Sequence, residues 1–231
     1  MKRKIFIFGN GEFADLAQYY FKNDLKYEGI ELSGFCVSDE FYKEDKFQGL
    51  PVIKESDIDK KFPKDQHLAF VALSYKKMNL SRIKVYEKLK AKNYKFASYV
   101  SSKSYNSKFT HGDNCFILEN QTIQNNVKIG NNVTIWSSNH IGHSSIIHDH
   151  TYISSHVCIG GRTTIGEGCF VGINSGISDG VNIGNAVFIS MGSNISKNIE
   201  NDSIVIQNPS SEIKKNDKLY QKLKNNILKK Y

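Results

Sequence analysis

Counting forward from Ile117 in steps of six reaches Ile123, Ile129, Ile135 and so on to Ile195, and every stop is isoleucine except Val171. Fourteen consecutive positions keep this register without a slip, in a chain rich in Asn and Ser. An amphipathic helix repeats near 3.6 residues and a strand at 2, so neither accounts for a period of six. A coil of short strands joined by tight corners does. One β-branched side chain per strand points inward, and the residue four positions on is small or β-branched, as at Val127, Val133, Thr151 and Val157. The residue after the aliphatic one is often glycine, as at Gly130, Gly142, Gly160 and Gly166. No such strand buries its face alone, so successive coils have to pair through their backbones.

Residues 1–99 have a different pattern. "KIFIF" reads as a buried strand, "GNGEFADLAQYYFKND" as a glycine turn opening a helix, and "IELSGFCVSD" and "LAFVAL" as further strands. "MNLSRIKVYEKLKAKNY" is a second helix, and "KFASYV" a last strand leading into the repeats. Alternating strands and helices predict a small α/β unit with a parallel sheet. Gly9-Asn10-Gly11-Glu12-Phe13-Ala14 matches G-x-G-x-x-A directly after a strand. Such a turn presents backbone N–H groups at a helix N-terminus, which suits a phosphate; the same glycines also let helix pack on strand. Gly9, Gly11 and Glu12 are therefore candidate nucleotide contacts, together with Asp39 at the end of the second strand, whose carboxylate could accept from a base or ribose. Ser38-Asp39 reads equally well as a strand-ending turn. At under 100 residues the unit is too small for a full dinucleotide-binding domain. The expected organisation is 1–99 Rossmann-like, 100–209 repeats, and 210–231 a basic tail, helical or frayed.

That tail carries seven lysines against Glu212 and Asp217, and supplies most of the formal charge of +8. No nucleic-acid-binding signature accompanies it, so no nucleic-acid partner is expected. Four cysteines without a C-x-x-C pair read as small buried residues in a reducing compartment. The first apolar run lasts four residues before Gly9, too short for a signal peptide, and no stretch approaches a membrane span. These features predict a cytoplasmic protein without integral membrane association.

The α/β front joined to an unbroken six-residue repeat resembles the nucleotide-sugar acetyltransferases related to bacterial sialic acid O-acetyltransferases and to the bacillosamine-pathway N-acetyltransferase. The resemblance runs through "IFGNGEFA", "GFCVSDE", "GLPVI" and "FVAL", and ends at Asn208-Pro209-Ser210. It implies a left-handed parallel β-helix with three hexads per coil, assembled as a homotrimer. It also implies a nucleotide-sugar substrate held by the front unit and acetyl-CoA lying between neighbouring columns, with no metal. In "GHSSII" it implies His143 as the base, with His140 and Asn139 close enough to touch substrate. It further implies a backbone N–H at Gly161 facing the thioester, and Ile173 against the pantetheine arm. Two positions depart from the family's pattern: an acidic residue that often follows the base is Ser144, and a second histidine nine residues on is Tyr152. The expected reaction is transfer of an acetyl group from acetyl-CoA to the amine of a nucleotide-linked amino-deoxysugar for surface glycan synthesis. The absence of an acidic partner favours an amine over a hydroxyl acceptor, since a hydroxyl needs a base more.

The remaining histidines have plainer readings. His156 falls in an outward polar column with Asn120, Ser138 and Asn174, while His148 and His150 flank Asp149 at a turn and are expected to be solvated. Trp136 is expected to meet a neighbouring subunit. A rival use is zinc: His143 and His148 have the five-residue spacing of ligands in prism-type carbonic anhydrases, but the position of the third ligand is Ser107. A non-catalytic nucleotide-sugar-binding trimer is the alternative from outside the enzymes.

Overall fold

The computed structural model describes residues 3–208 and 212–227. Its front half is a five-stranded sheet of β1 (Arg3–Phe8), β2 (Ile30–Val37), β3 (Lys46–Phe47), β4 (Leu50–Lys54) and β5 (His67–Val71), in the order β3-β4-β2-β1-β5. Neighbours run parallel except β3 with β4. β1 lies inside the sheet, between β2 and β5, and its apolar run serves both faces. Ile5 and Ile7 pack against Ala14, Ala17 and Phe21 of helix α1 (Glu12–Asn23). Phe6 and Phe8 pack against Ile58 of the short α2 (Ile58–Lys61) and against Tyr86 and Leu89 of α3 (Leu80–Ala91). The hairpin of β3 with β4 was not anticipated, since Lys46 and Phe47 alone give no strand signal.

From Tyr99 to Val205 the chain forms eighteen strands of two residues each, in three parallel sheets of seven, six and five strands. From Thr110 to Asn194 the paired strands lie 18 residues apart, Thr134 beside Tyr152 and His140 beside Cys158, while the first two pairings step by 17 and the last by 16. One coil is therefore three hexads, and the column has three walls. The first wall carries Phe116, Tyr152, Phe170 and Phe188 outward; the second carries Thr122, His140, Cys158 and Gly176; the third carries Lys128, Ile146 and Thr164. All fourteen aliphatic residues of the repeat lie in the buried core. Pro209 and Ser210 lie outside the described residues. Beyond them, Lys218–Ile227 is a helix, α4, with Leu219 exposed.

A second period of six governs the corners. From Asn114 to Gly192, every sixth residue has a positive φ between 49° and 70°. A β-carbon is strained in that region, glycine is not, and asparagine is the best-tolerated of the rest. This explains Asn114, Asn120, Asn126, Asn132 and Asn174, and Gly168, Gly180 and Gly192. His150 and His156 are two more of these corners. His156 is exposed, whereas His150 is 5% exposed and not solvated as expected, because α3 covers it. Its Nδ1 accepts from Asn132 at 2.9 Å, Asn132 Oδ1 accepts from Asn114 at 2.7 Å, and Asn114 Oδ1 accepts the Val71 N–H at 2.7 Å. This amide ladder ties the column to the edge strand of the front sheet.

Arg82 strengthens the same joint. Fully buried, it donates to the carbonyls of Asn132 and His150 and to Asn79 Oδ1, while Asn79 itself donates to the carbonyls of Gly168 and Cys169. Trp136 belongs to the intramolecular contact as well. Its ring lies 6.1 Å from that of Phe13, and its indole N–H donates to the Tyr152 hydroxyl. The ring nevertheless stays partly exposed, at the edge of a surface cleft. Cys36, Cys115 and Cys169 are buried, but Cys158 is exposed because it occupies an outward wall position beside His140.

Candidate active site

His143 stands at the corner where the second wall passes into the third. Its backbone is held on both sides: the N–H donates to Gln124 Oε1 at 2.9 Å, and the carbonyl accepts from Arg162 N at 2.8 Å. Ser144 then turns the corner at φ 58°. The coils approach closely here, since a Cβ on Gly142 would lie 2.4 Å from Gly161 N. The imidazole, in an exposed residue, rests against Gly161, where an added Cβ would sit 2.7 Å from Nε2. Glycine at 161 is what lets the ring lie along the column. Asp179 continues the same vertical row, 18 residues further on, and its Oδ1 accepts the Gly161 N–H at 2.5 Å.

The geometry bears against two of the expected roles. The Gly161 N–H is occupied by Asp179, so it does not face outward as an oxyanion donor. Asn139 is 2% exposed, because its position points into the column: Oδ1 accepts the Val157 N–H at 2.6 Å and its amide donates to the Trp136 carbonyl. Its polar atoms serve the coil and do not reach a substrate. Ile173, 39% exposed, borders the second wall at the edge opposite His143, beside a cleft of about 280 Å³ lined by Tyr75, Trp136, Tyr152, Phe170 and Met191. His140 stands on the second wall itself, half-buried, with its side chain outward above Cys158. Gln124 and Asp179 are the site residues the sequence reading missed. Stepping back 18 from Asp179 reaches Gly161 and then His143, so the same arithmetic that stacked the other columns would have found it.

A second cleft, of about 680 Å³, opens at the C-terminal ends of the front strands. This is where the order of the sheet reverses about β1, the usual place for a ligand in an open parallel sheet. Gly9 and Gly11 line it. Gly9 has φ 123°, and a Cβ there would meet the Ala72 carbonyl at 2.8 Å. Gly11 leads into α1 without a side-chain cap, leaving N–H groups of its first turn for a ligand. Glu12 is exposed at the helix start but does not line the cleft. Asp39 is turned away: its carboxylate accepts the Ser56 N–H at 3.0 Å, which holds its pKa below the usual carboxylate range. Ser38, Glu40, Glu55 and the lysines at 43, 76, 84 and 88 line the cleft in its place. Among the described residues, no group of three His, Cys, Asp or Glu side chains could hold a metal ion, and no helix is long and apolar enough to cross a membrane.

Comparison with known families agrees with this geometry. Residues 126–161 match the bacterial transferase hexapeptide model, and residues 162–197 match the hexapeptide repeat of succinyl-transferase. Both matched stretches lie within the column and are hexapeptide repeats. About nine-tenths of the chain shares its fold with solved structures. The acetyltransferase domain of PglB from Neisseria gonorrhoeae FA1090 superposes with a TM-score of 0.77 at 18% identity, over 91% of this chain and 100% of that one. PerB from Caulobacter crescentus, in complex with CoA and GDP-perosamine, gives 0.70 at 16% identity, over 87% and 92%. WeeI from Acinetobacter baumannii AYE gives 0.72 at 16%, over 90% and 98%. No curated protein sequence matches the chain.

Proposed function

We propose that the protein transfers the acetyl group of acetyl-CoA to the amine of a nucleotide-linked amino-deoxysugar. The reading is carried by one combination: a nucleotide-sized cleft with a Gly9–Gly11 turn, and an exposed imidazole seated on glycine in a hexapeptide column. The PglB domain also has a structure in complex with acetyl coenzyme A, which supports the choice of donor.

In this reaction the amine nitrogen attacks the thioester carbonyl carbon, the tetrahedral intermediate collapses, and the C–S bond breaks. His143 takes the proton that the nitrogen sheds and passes it to the departing CoA thiolate. Its exposed ring, with backbone fixed by Gln124 and Arg162, supports that role. The oxyanion needs a donor other than the Gly161 N–H, which Asp179 holds. His140, outward on the adjoining wall, contacts the sugar. Ile173 lies at the opposite edge of that wall, so it reaches the pantetheine arm from a neighbouring column. This requires a homotrimer with acetyl-CoA between copies. The nucleotide binds at Gly9 and Gly11, with Glu12 at the rim. The product is an acetamido sugar nucleotide for surface glycan assembly in the cytoplasm.

The test is to incubate purified protein with acetyl-CoA and a panel of UDP-, dTDP- and GDP-linked 4-amino sugars and to measure released CoA thiol. Release with at least one member is expected. Silence across the panel, from protein shown to be folded, overturns the reading.

A further inference from the structure

The acyl transfer makes no use of the basic segment beyond the column. Its helix α4, with the sequence KLYQKLKNNI, carries three lysines and no acidic residue. Asp217, just ahead of it, is held in a turn: its N–H donates to the Lys214 carbonyl and its carboxylate accepts the Lys214 N–H, both at 2.9 Å. Leu219, Leu223 and Ile227 follow one another at intervals of four, with Tyr220 next to the first. At about 100° per residue these four positions fall within an arc of about 100°, with Lys222 beyond one edge and Lys224 beyond the other. Leu219 is 51% and Leu223 37% exposed, and Lys218, Lys222 and Lys224 are exposed as well. Among the described residues, neither leucine joins the apolar core of either half of the molecule. The helix therefore shows water an apolar stripe bordered by cations.

We infer that α4 binds the surface of anionic lipid bilayers, with Leu219 and Leu223 entering the boundary between headgroups and acyl chains and its lysines at the headgroup phosphates. The inference does not depend on the acetyl-transfer reading. Ten residues are about half of what a membrane span needs, so the helix lies in the plane of the surface. That orientation wets only the lysine ammonium groups, whose stems run along the edges of the stripe. Each lysine near an anionic surface adds about fivefold in affinity, and the leucines add what the charges alone do not. A second copy of the helix is a poorer occupant, because two such faces bring lysine borders together with no helix carboxylate between them. A nucleic acid would engage the lysines and leave the leucines in water.

Cosedimentation of the full chain with vesicles tests this. The vesicles are phosphatidylcholine alone, and phosphatidylcholine mixed with phosphatidylglycerol at about two to one. The mixed vesicles should bind the protein about 10- to 100-fold more tightly than the neutral ones, and salt at about 0.5 M should release it. Leu219→Ser combined with Leu223→Ser keeps every charge and should weaken binding to the mixed vesicles by about tenfold or more. Lys222→Gln combined with Lys224→Gln should weaken it by about 10- to 30-fold. Equal binding to both kinds of vesicle, or to neither, overturns the inference. So does a leucine variant that binds like the parent, since that leaves only diffuse attraction of the chain's charge of +8. A leucine variant with a smaller oligomeric state than the parent would assign the stripe to a second copy, and tighter binding to duplex DNA than to the mixed vesicles would assign the lysines to nucleic acid; either result overturns it too. The comparison of lipids uses the unaltered protein, so the inference is decided whatever the variants do to folding.

Discussion

The imidazole of His143 fills the space that a side chain on Gly161 would need, one coil away: a Cβ at 161 would stand 2.7 Å from Nε2 and 3.0 Å from Cδ2. Gly161 does not have a positive φ, so alanine is compatible with the backbone there. Gly161→Ala should therefore push the ring aside and leave the coil intact. The expected result is a fall in kcat of about 10- to 100-fold, as for a misplaced catalytic group, with the melting temperature nearly unchanged. Unaltered turnover would show that the ring's seat on Gly161 does not matter to the reaction.

Direct removal of the ring is the sharper test of its role. His143→Ala should lower kcat by about 10² or more, the contribution of a general base, while acetyl-CoA affinity measured by titration stays within about twofold. A variant as fast as the parent would take the base assignment away from His143 and leave the acetyl-transfer reading intact.

The column was legible because a six-residue aliphatic register has only one economical solution, and all fourteen positions are in its core. The corner positions carry a second signal of the same period, in asparagine and glycine, which went unread because histidine, serine and arginine share it. His150 was misplaced for that reason. It looked solvated beside Asp149, yet α3, far away in sequence, covers it. The site was legible where the 18-residue stacking was applied, and not where a side chain turns inward. Asn139 follows a corner and points into the coil, as Val133 and Val157 do in their hexads. Glu55 and its lysines come from separate segments, and no spacing along the chain brings them together.

Ala186 is a corner residue at φ 53° with an exposed side chain. Its β-carbon is strained by about 1 kcal/mol in that region, and nothing buried depends on its methyl. Ala186→Gly should raise stability by a few tenths to about 1 kcal/mol, because relief of strain outweighs the added freedom of the unfolded chain. Urea denaturation measures this. A loss of stability would mean that the corner is not strained.

His150 makes the joint between the halves sensitive to pH. Burial, and then the Arg82 charge, hold its pKa below the ordinary histidine value, against the opposing pull of Glu167, Asp149 and Glu87. Neutral His150 accepts from Asn132 at Nδ1, and protonation removes that acceptor. With the folded pKa depressed, the unfolded state binds more protons as pH drops below about 6.5. The stabilisation is fully present above that value and is lost as pH falls toward and through the folded pKa. Thermal melts at pH 7.5 and 5.5 should show a larger drop for the parent than for His150→Asn, which tolerates the positive φ and still accepts from Asn132. Equal drops would exclude His150 as the responsible group.

Arg82 is the residue on which the docking of the two halves most depends. Burial draws its pKa down to about 10, which leaves it charged at neutral pH, and its acceptors are all uncharged oxygens: the Asn132 and His150 carbonyls and Asn79 Oδ1. Substitution strands those buried acceptors, each at about 1–3 kcal/mol. Arg82→Met keeps most of the volume and removes the donors, so it isolates their contribution from packing. The expected loss is about 3–5 kcal/mol in urea denaturation, the low end of the sum over three stranded acceptors. Because the same carbonyls belong to the coil that carries His150, the variant should also weaken protection from hydrogen exchange at Val71 and Asn132 more than at Ile189, deep in the far end of the column. A loss below about 1 kcal/mol, or uniform protection, would show that apolar contacts such as Phe13 with Phe116 hold the joint without Arg82.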